Sequence, residues 1–176
     1  MDCGTGGITT QMVSNSELKL YQFPGGLKLS RDGTWLQGGS AVTHGRILSY
    51  LNRNLGWSEA NSKWGIPSGQ WFIPVEIEDV PYFVISIELD RNHPVAILSN
   101  EAEVPFSAGN LSFSADHVPY LQVEVGAAPG KSTRARFSRP AMQSLIARIE
   151  QNGTQFAIRL GPAGAERLEP LCGGPA

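Results

Sequence analysis

The chain has 176 residues, of which 41% are hydrophobic and 17% charged, with 20 Gly, 12 Pro and a formal net charge of -2. That length suits one ordinary domain or two small ones sharing a core, and it can bury roughly 70% of its unfolded surface without a disulfide or a metal. The slight acidic excess speaks against a nucleic-acid partner, and no apolar run approaches the ~18 residues of a membrane-spanning helix.

The opening "MDCGTGGITTQMVSNS" has no basic region followed by an apolar one, so it is not a secretory signal. Residues 1–16 read as a disordered tail. Cys3 and Cys172 lie near the two ends and read as free thiols in a reducing compartment, with a terminal clip between them as the alternative, and the protein is expected to be cytoplasmic.

Order is expected from about Leu18, with "LKLYQF" as a first strand. "GGLKLSRDGTWLQGG" predicts two short strands around Arg31-Asp32-Gly33, because Asp-Gly between apolar runs is a hairpin signal. A helix follows, capped by Thr43 or Ser40. Ile47, Leu48, Leu51 and Leu55 form its inner face, Arg46, Asn52 and Arg53 its outer face, and Gly56 its left-handed end. "GWSEANSKWGIPSGQ" is expected to be a polar loop, with Trp57 and Trp64 folded back onto the body.

"WFIPVEIED" and "PYFVISIEL" are expected to pair as a second hairpin around Asp79, Val80 and Pro81. In the first arm Trp71, Ile73, Val75 and Ile77 share one face, and Glu76 and Glu78 point to the other. The second arm is apolar on both faces, as a strand in the middle of a sheet is. From His93 onward come the short strands "VAILS", "EVPFSA", "LSFSA", "YLQVEV" and "RARFS". A second helix is expected after Ser138 as cap, with Pro140 in its first turn. Met142, Leu145, Ile146 and Ile149 are its stripe, and Gly153 closes it. "QFAIRLG" and "ERLEPL" then pair across "PAGA".

"RILSYLNRNLG" and "SLIARIEQNG" echo each other: each is an amphipathic helix after a strand and before a hairpin. The expected fold is therefore α+β, with two small subdomains of similar strand–helix–hairpin topology, mainly antiparallel sheet and one helix each. The N-terminal unit spans 17–91 and the C-terminal unit 92–172.

Few motifs carry chemistry. "GAAPGKST" (Gly126 to Thr133) resembles a phosphate loop but has three residues where four are needed, and an alternating strand rather than a helix follows. His44, His93 and His117 have no partner at metal-ligand spacing. No Ser sits in a nucleophile elbow, and neither Cys has packed surroundings that would lower its pKa. Glu76 and Glu78 lie about 7 Å apart by strand rise, within the range of paired glycosidase carboxylates. Alternation on a wet sheet face accounts for them without chemistry. No catalytic residue, metal site or cofactor is assigned.

"LSRDGTWLQGGSAV", the helix after it and "IPVEIEDVPYFVISIEL" resemble the bacterial family called domain of unknown function 1285. "ILSNEAEVPFSA", "VPYLQVEV" and "PAMQSLIAR" extend the similarity to about Gly26–Leu171. The ending "ERLEPLCGG" and the "KST" insertion depart from the family pattern. The resemblance implies two α+β parts of similar topology, no established reaction, and a suggested role in signal transduction. The leading expectation is a non-enzymatic bacterial module that binds a protein or small-molecule partner, with a homo-oligomer left open. The alternative is an enzyme or small-molecule binder using a cleft between the subdomains, where Arg31, Trp35, Glu76 and Asp79 are the candidates.

Overall fold

A computed structural model of the chain describes residues 18–124, 132–152, 155–162 and 167–171. The expected disordered tail, Cys3 and Cys172, the phosphate-loop-like residues up to Lys131, most of the "PAGA" turn and the helix-closing Gly153 lie outside the described residues.

Leu27–Leu29 (β2) and Trp35–Gln37 (β3) pair antiparallel around the Arg31–Gly33 turn, as the Asp-Gly signal predicts. Gly33 there has φ 88°, a conformation costly for any residue with a Cβ. With Lys19–Leu20 (β1), Ser40–Ala41 (β4), Gly56–Ser58 (β5), Lys63–Ser68 (β6) and Trp71–Ile77 (β7) they form a seven-stranded sheet. Its order is β4-β3-β2-β7-β6-β5, and β1 lies parallel to the start of β7.

Residues 56–70 are not the polar loop that composition suggests. Trp57 and Trp64 lie directly opposite each other on β5 and β6, with ring centroids 5.7 Å apart. Such a cross-strand aromatic pair stabilises strands even among polar neighbours. The hairpin turn of β7 is also at this end, at Gly69 (φ 58°) and Gln70, so its antiparallel partner is β6.

This corrects the second expected hairpin. Tyr82–Glu88 (β8) does not fold back along β7. β6 occupies one side of β7, and β1 and β2 occupy the other. Residues 78–81 instead carry the chain into a second sheet. There β8 joins Val95–Leu98 (β9), Glu103–Pro105 (β10), Leu111–Phe113 (β11), Pro119–Val123 (β12) and Thr133–Phe137 (β13). The order is β10-β9-β8-β13-β12-β11, so β8 is central, as its apolar residues on both faces require.

The two sheets thus share one pattern: a three-strand meander on each side of a parallel central pair, β2 with β7 and β8 with β13. In the second sheet only residues 106–110 connect the two outer strands. A chain of that length reaches about 20 Å, whereas a flat sheet of this width would hold its edges about 24 Å apart. The sheet is therefore curled.

Gly45–Asn54 (α1) and Arg139–Ile146 (α2) differ from expectation in their ends. Ser40 is in β4, and His44 rather than Thr43 holds the cap position of α1 without a side-chain cap bond. Leu55 ends the helix in extended conformation, so Gly56 opens β5 instead of forming a left-handed cap. Leu51 and Leu55 are buried, but Ile47 is 49% exposed. Ser138 does cap α2, accepting from the Ala141 amide, and Pro140 lies in its first turn. That helix stops at Ile146, which is 58% exposed, and Ile149 already belongs to the next strand. The stripe is carried by Ala141 and Leu145.

Ile149–Asn152 (β14), Gln155–Leu160 (β15) and Arg167–Pro170 (β16) form a three-stranded antiparallel sheet in chain order. β15 and β16 pair as expected. The helices occupy different places in the strand pattern: α1 falls between β4 and β5, while α2 follows β13. Between β10 and β11 there is only a 3-10 turn, Ala108–Asn110.

Two cores result. One gathers Leu27, Leu29, Trp35, Ile66 and Val75 under Leu51 of α1 and Leu55 just past its end, and takes in Phe83 and Tyr120 from the outer face of the second sheet. The other lies inside the curled sheet, where Val84, Leu98, Leu121 and Phe137 meet Leu145 of α2 and Ile158 and Leu160 of β15. Trp64 packs against both. Among the described residues no helix is long and apolar enough to cross a membrane.

Candidate functional site at the seam between the sheets

The four sequence candidates do not converge. Glu76 is on the wet face of the first sheet, where register places it beside Lys28. Lys28 Nζ lies 3.1 Å from Glu76 and 2.7 Å from Glu78, and the Arg31 amide donates to Glu78 at 2.9 Å. The Lys28 ammonium, and after it the Arg31 amide, hold the Glu78 carboxyl below its ordinary range. Glu78, then Glu76, raise the pKa of Lys28 in return. Both glutamates face solvent, as the alternation of their strand predicts. Trp35 is 1% exposed and donates its indole N–H to Asn52 at 2.7 Å. It is a core residue, and Asn52 faces inward rather than lying on the outer face of α1.

Asp79 alone reaches the seam. The chain between β7 and β8 turns it toward the second sheet, where one oxygen, Oδ2, accepts from Tyr120 Oη at 2.8 Å and Arg136 Nη1 at 3.0 Å. Register makes Tyr120 and Arg136 direct neighbours on β12 and β13, on the face opposite Leu121 and Ala135. The Arg134 guanidinium lies 4.9 Å from the Tyr120 ring centroid, within range of a cation–π contact. Burial, followed by the hydrogen bond to Asp79, raises the pKa of Tyr120. The side chains of Asp79 and Arg136 are 15% and 21% exposed. The arrangement can orient an anion or hold the two sheets in register.

Further hydrogen bonds cross the seam. Tyr82 Oη donates to the Leu55 carbonyl at 2.9 Å, and Arg53 pairs bidentately with Glu101 at 2.9 and 2.6 Å. Sequence reasoning missed Tyr120, Arg134 and Arg136. The alternation of "RARFS" was a usable signal for Arg134 and Arg136, which it sets on one face, whereas Tyr120 joins that face only through the strand register.

Other surfaces are simpler. A groove of about 340 Å³ at the open edge of the curled sheet is lined by Val104, Pro105, Asn110, Gln122 and Glu124. A second, of about 300 Å³, lies beside α2 under the Asp90–Arg148 ion pair. The start of the first sheet exposes apolar groups. Leu20, Tyr21 and Trp71 are 50%, 40% and 38% exposed. Tyr21 contacts Trp71 at 5.8 Å and Phe23 at 6.2 Å between centroids, with Lys19 Nζ 6.0 Å from the Trp71 ring. Ile47 and Tyr50 of α1 are exposed as well, and Tyr50 donates to the Pro67 carbonyl on the neighbouring strand.

No protein-family model and no curated protein matches the sequence. Among solved structures, the chain is similar to a DUF1285 family protein from Silicibacter pomeroyi DSS-3, with 16% identity and a TM-score of 0.59 over 88% of this chain and 82% of that one. The chain has a DUF1285-like fold. A DUF1285 family protein from Shewanella baltica OS155 is also similar, with 12% identity and a TM-score of 0.49 over 69% of this chain and 90% of that one. The resemblance read from "RDGTW" and "VEDVPYF" thus extends to the DUF1285 fold, and at such identities it concerns the fold alone.

Proposed function

We propose that the chain is a non-enzymatic binding module for a protein or small-ligand partner, built from two α+β units of one design. The shared strand order of the two sheets supports the repeat. Central-pair register supports it too: Lys28 beside Glu76 in the first sheet takes the place of Phe83 beside Arg136 in the second. In this reading the units change over at residues 78–81 rather than at 91–92, because β8 pairs into the second sheet.

The observation that carries the binding reading is the exposed aromatic row of Tyr21 and Trp71 with Leu20 beside it. Exposed apolar clusters of this kind mark interaction sites more often than isolated surface residues do. A signalling role, which the family resemblance suggests, fits a module that binds rather than converts. The test is a screen of immobilised protein against peptide and metabolite libraries, with each binder re-measured on Tyr21→Ser/Trp71→Ser. Binding at the row weakens about tenfold or more, ~1.4 kcal/mol, in the variant. A homo-oligomer held by the row would instead show as a mass that falls to monomer in the variant.

The seam supports a second reading, because a half-buried carboxylate, two arginines and a tyrosine meet there across two sheets. A binder or substrate that ignores the double variant and loses affinity in Arg134→Ala would select this alternative.

A further inference from the structure

We draw no further inference here: the strongest candidate, the exposed apolar patch of Leu20, Tyr21 and Trp71 at the start of the first sheet, carries none because nothing in the structure shows what covers it.

Discussion

Tyr82 of the second sheet donates its hydroxyl to the carbonyl of Leu55, the residue that ends α1 against the first sheet. The phenol is 1% exposed, so this bond satisfies a helix-end carbonyl in a place water does not reach. Tyr82→Phe leaves that acceptor unpaired. It should cost about 1–3 kcal/mol in urea denaturation, with the m-value unchanged.

The same hydroxyl sets an alkaline limit. Burial pushes Tyr82 up to about 12, above its ordinary value of 10.0. The unfolded chain then releases this proton first. The contribution is intact below pH 10 and is lost as pH rises toward 12. Stability measured across that window should fall by on the order of 2 kcal/mol from this group. Tyr82→Phe should flatten the slope, leaving the contribution of Tyr120, which is raised in the same direction.

At the acid end Glu78 behaves oppositely. Its carboxyl is held low by Lys28 first and by the Arg31 amide second. A depressed folded value contributes stability above the unfolded value of 4.5 and loses it as pH falls through the folded one. The Lys28→Met variant should move the Glu78 titration, followed by carboxyl NMR, upward toward that value. Because the cluster is exposed, 1 M salt should shift it the same way.

Asp79 is the test of the seam. Asp79→Ala leaves the half-buried Arg136 without its carboxylate and Tyr120 without its acceptor. Removing one partner of a fully buried pair costs about 3–5 kcal/mol, and partial exposure lowers the expectation here to about 2 kcal/mol. A double-mutant cycle with Arg136→Met measures the coupling. A coupling near zero would show that the two sheets keep their register without this contact.

Gly65 is held by space rather than by conformation. A Cβ there would meet the Ile73 carbonyl oxygen at 2.4 Å and the Phe72 ring at 2.5 Å. The oxygen belongs to a paired backbone and cannot yield, so Gly65→Ala should lower stability by about 1–3 kcal/mol. Gly33→Ala, by contrast, meets Phe83 only at ordinary contact distance, and its cost of about 1–2 kcal/mol comes from φ 88°. Thermal unfolding of the two variants should show both losses, with Gly65→Ala the larger where the strand cannot shift.

Local chemistry made several features readable from the residues alone. Asp32-Gly33 placed the first hairpin, because only a residue free to take positive φ closes so tight a turn. Ser138 and Pro140 placed the start of α2, since a hydroxyl and a fixed φ suit the first turn of a helix. Alternation set Glu76 and Glu78 toward water, and the lack of it, with apolar residues at both parities, put β8 in the middle of a sheet. Each of these depends on groups within a few residues of one another.

Beyond such local hairpins, which strand lies beside which was settled only in three dimensions. Nothing in "VEIEDVPYFV" distinguishes a chain that reverses from one that crosses into another sheet. Both need the same turn residues, and the choice rests on β6, β1 and β2 already filling the sides of β7. The candidate site followed the same rule. Asp79 found Tyr120 and Arg136 forty-one and fifty-seven positions away, a meeting set by strand order rather than spacing. Periodicity tells a side chain which face to take, and only the packing of whole sheets decides what that face meets.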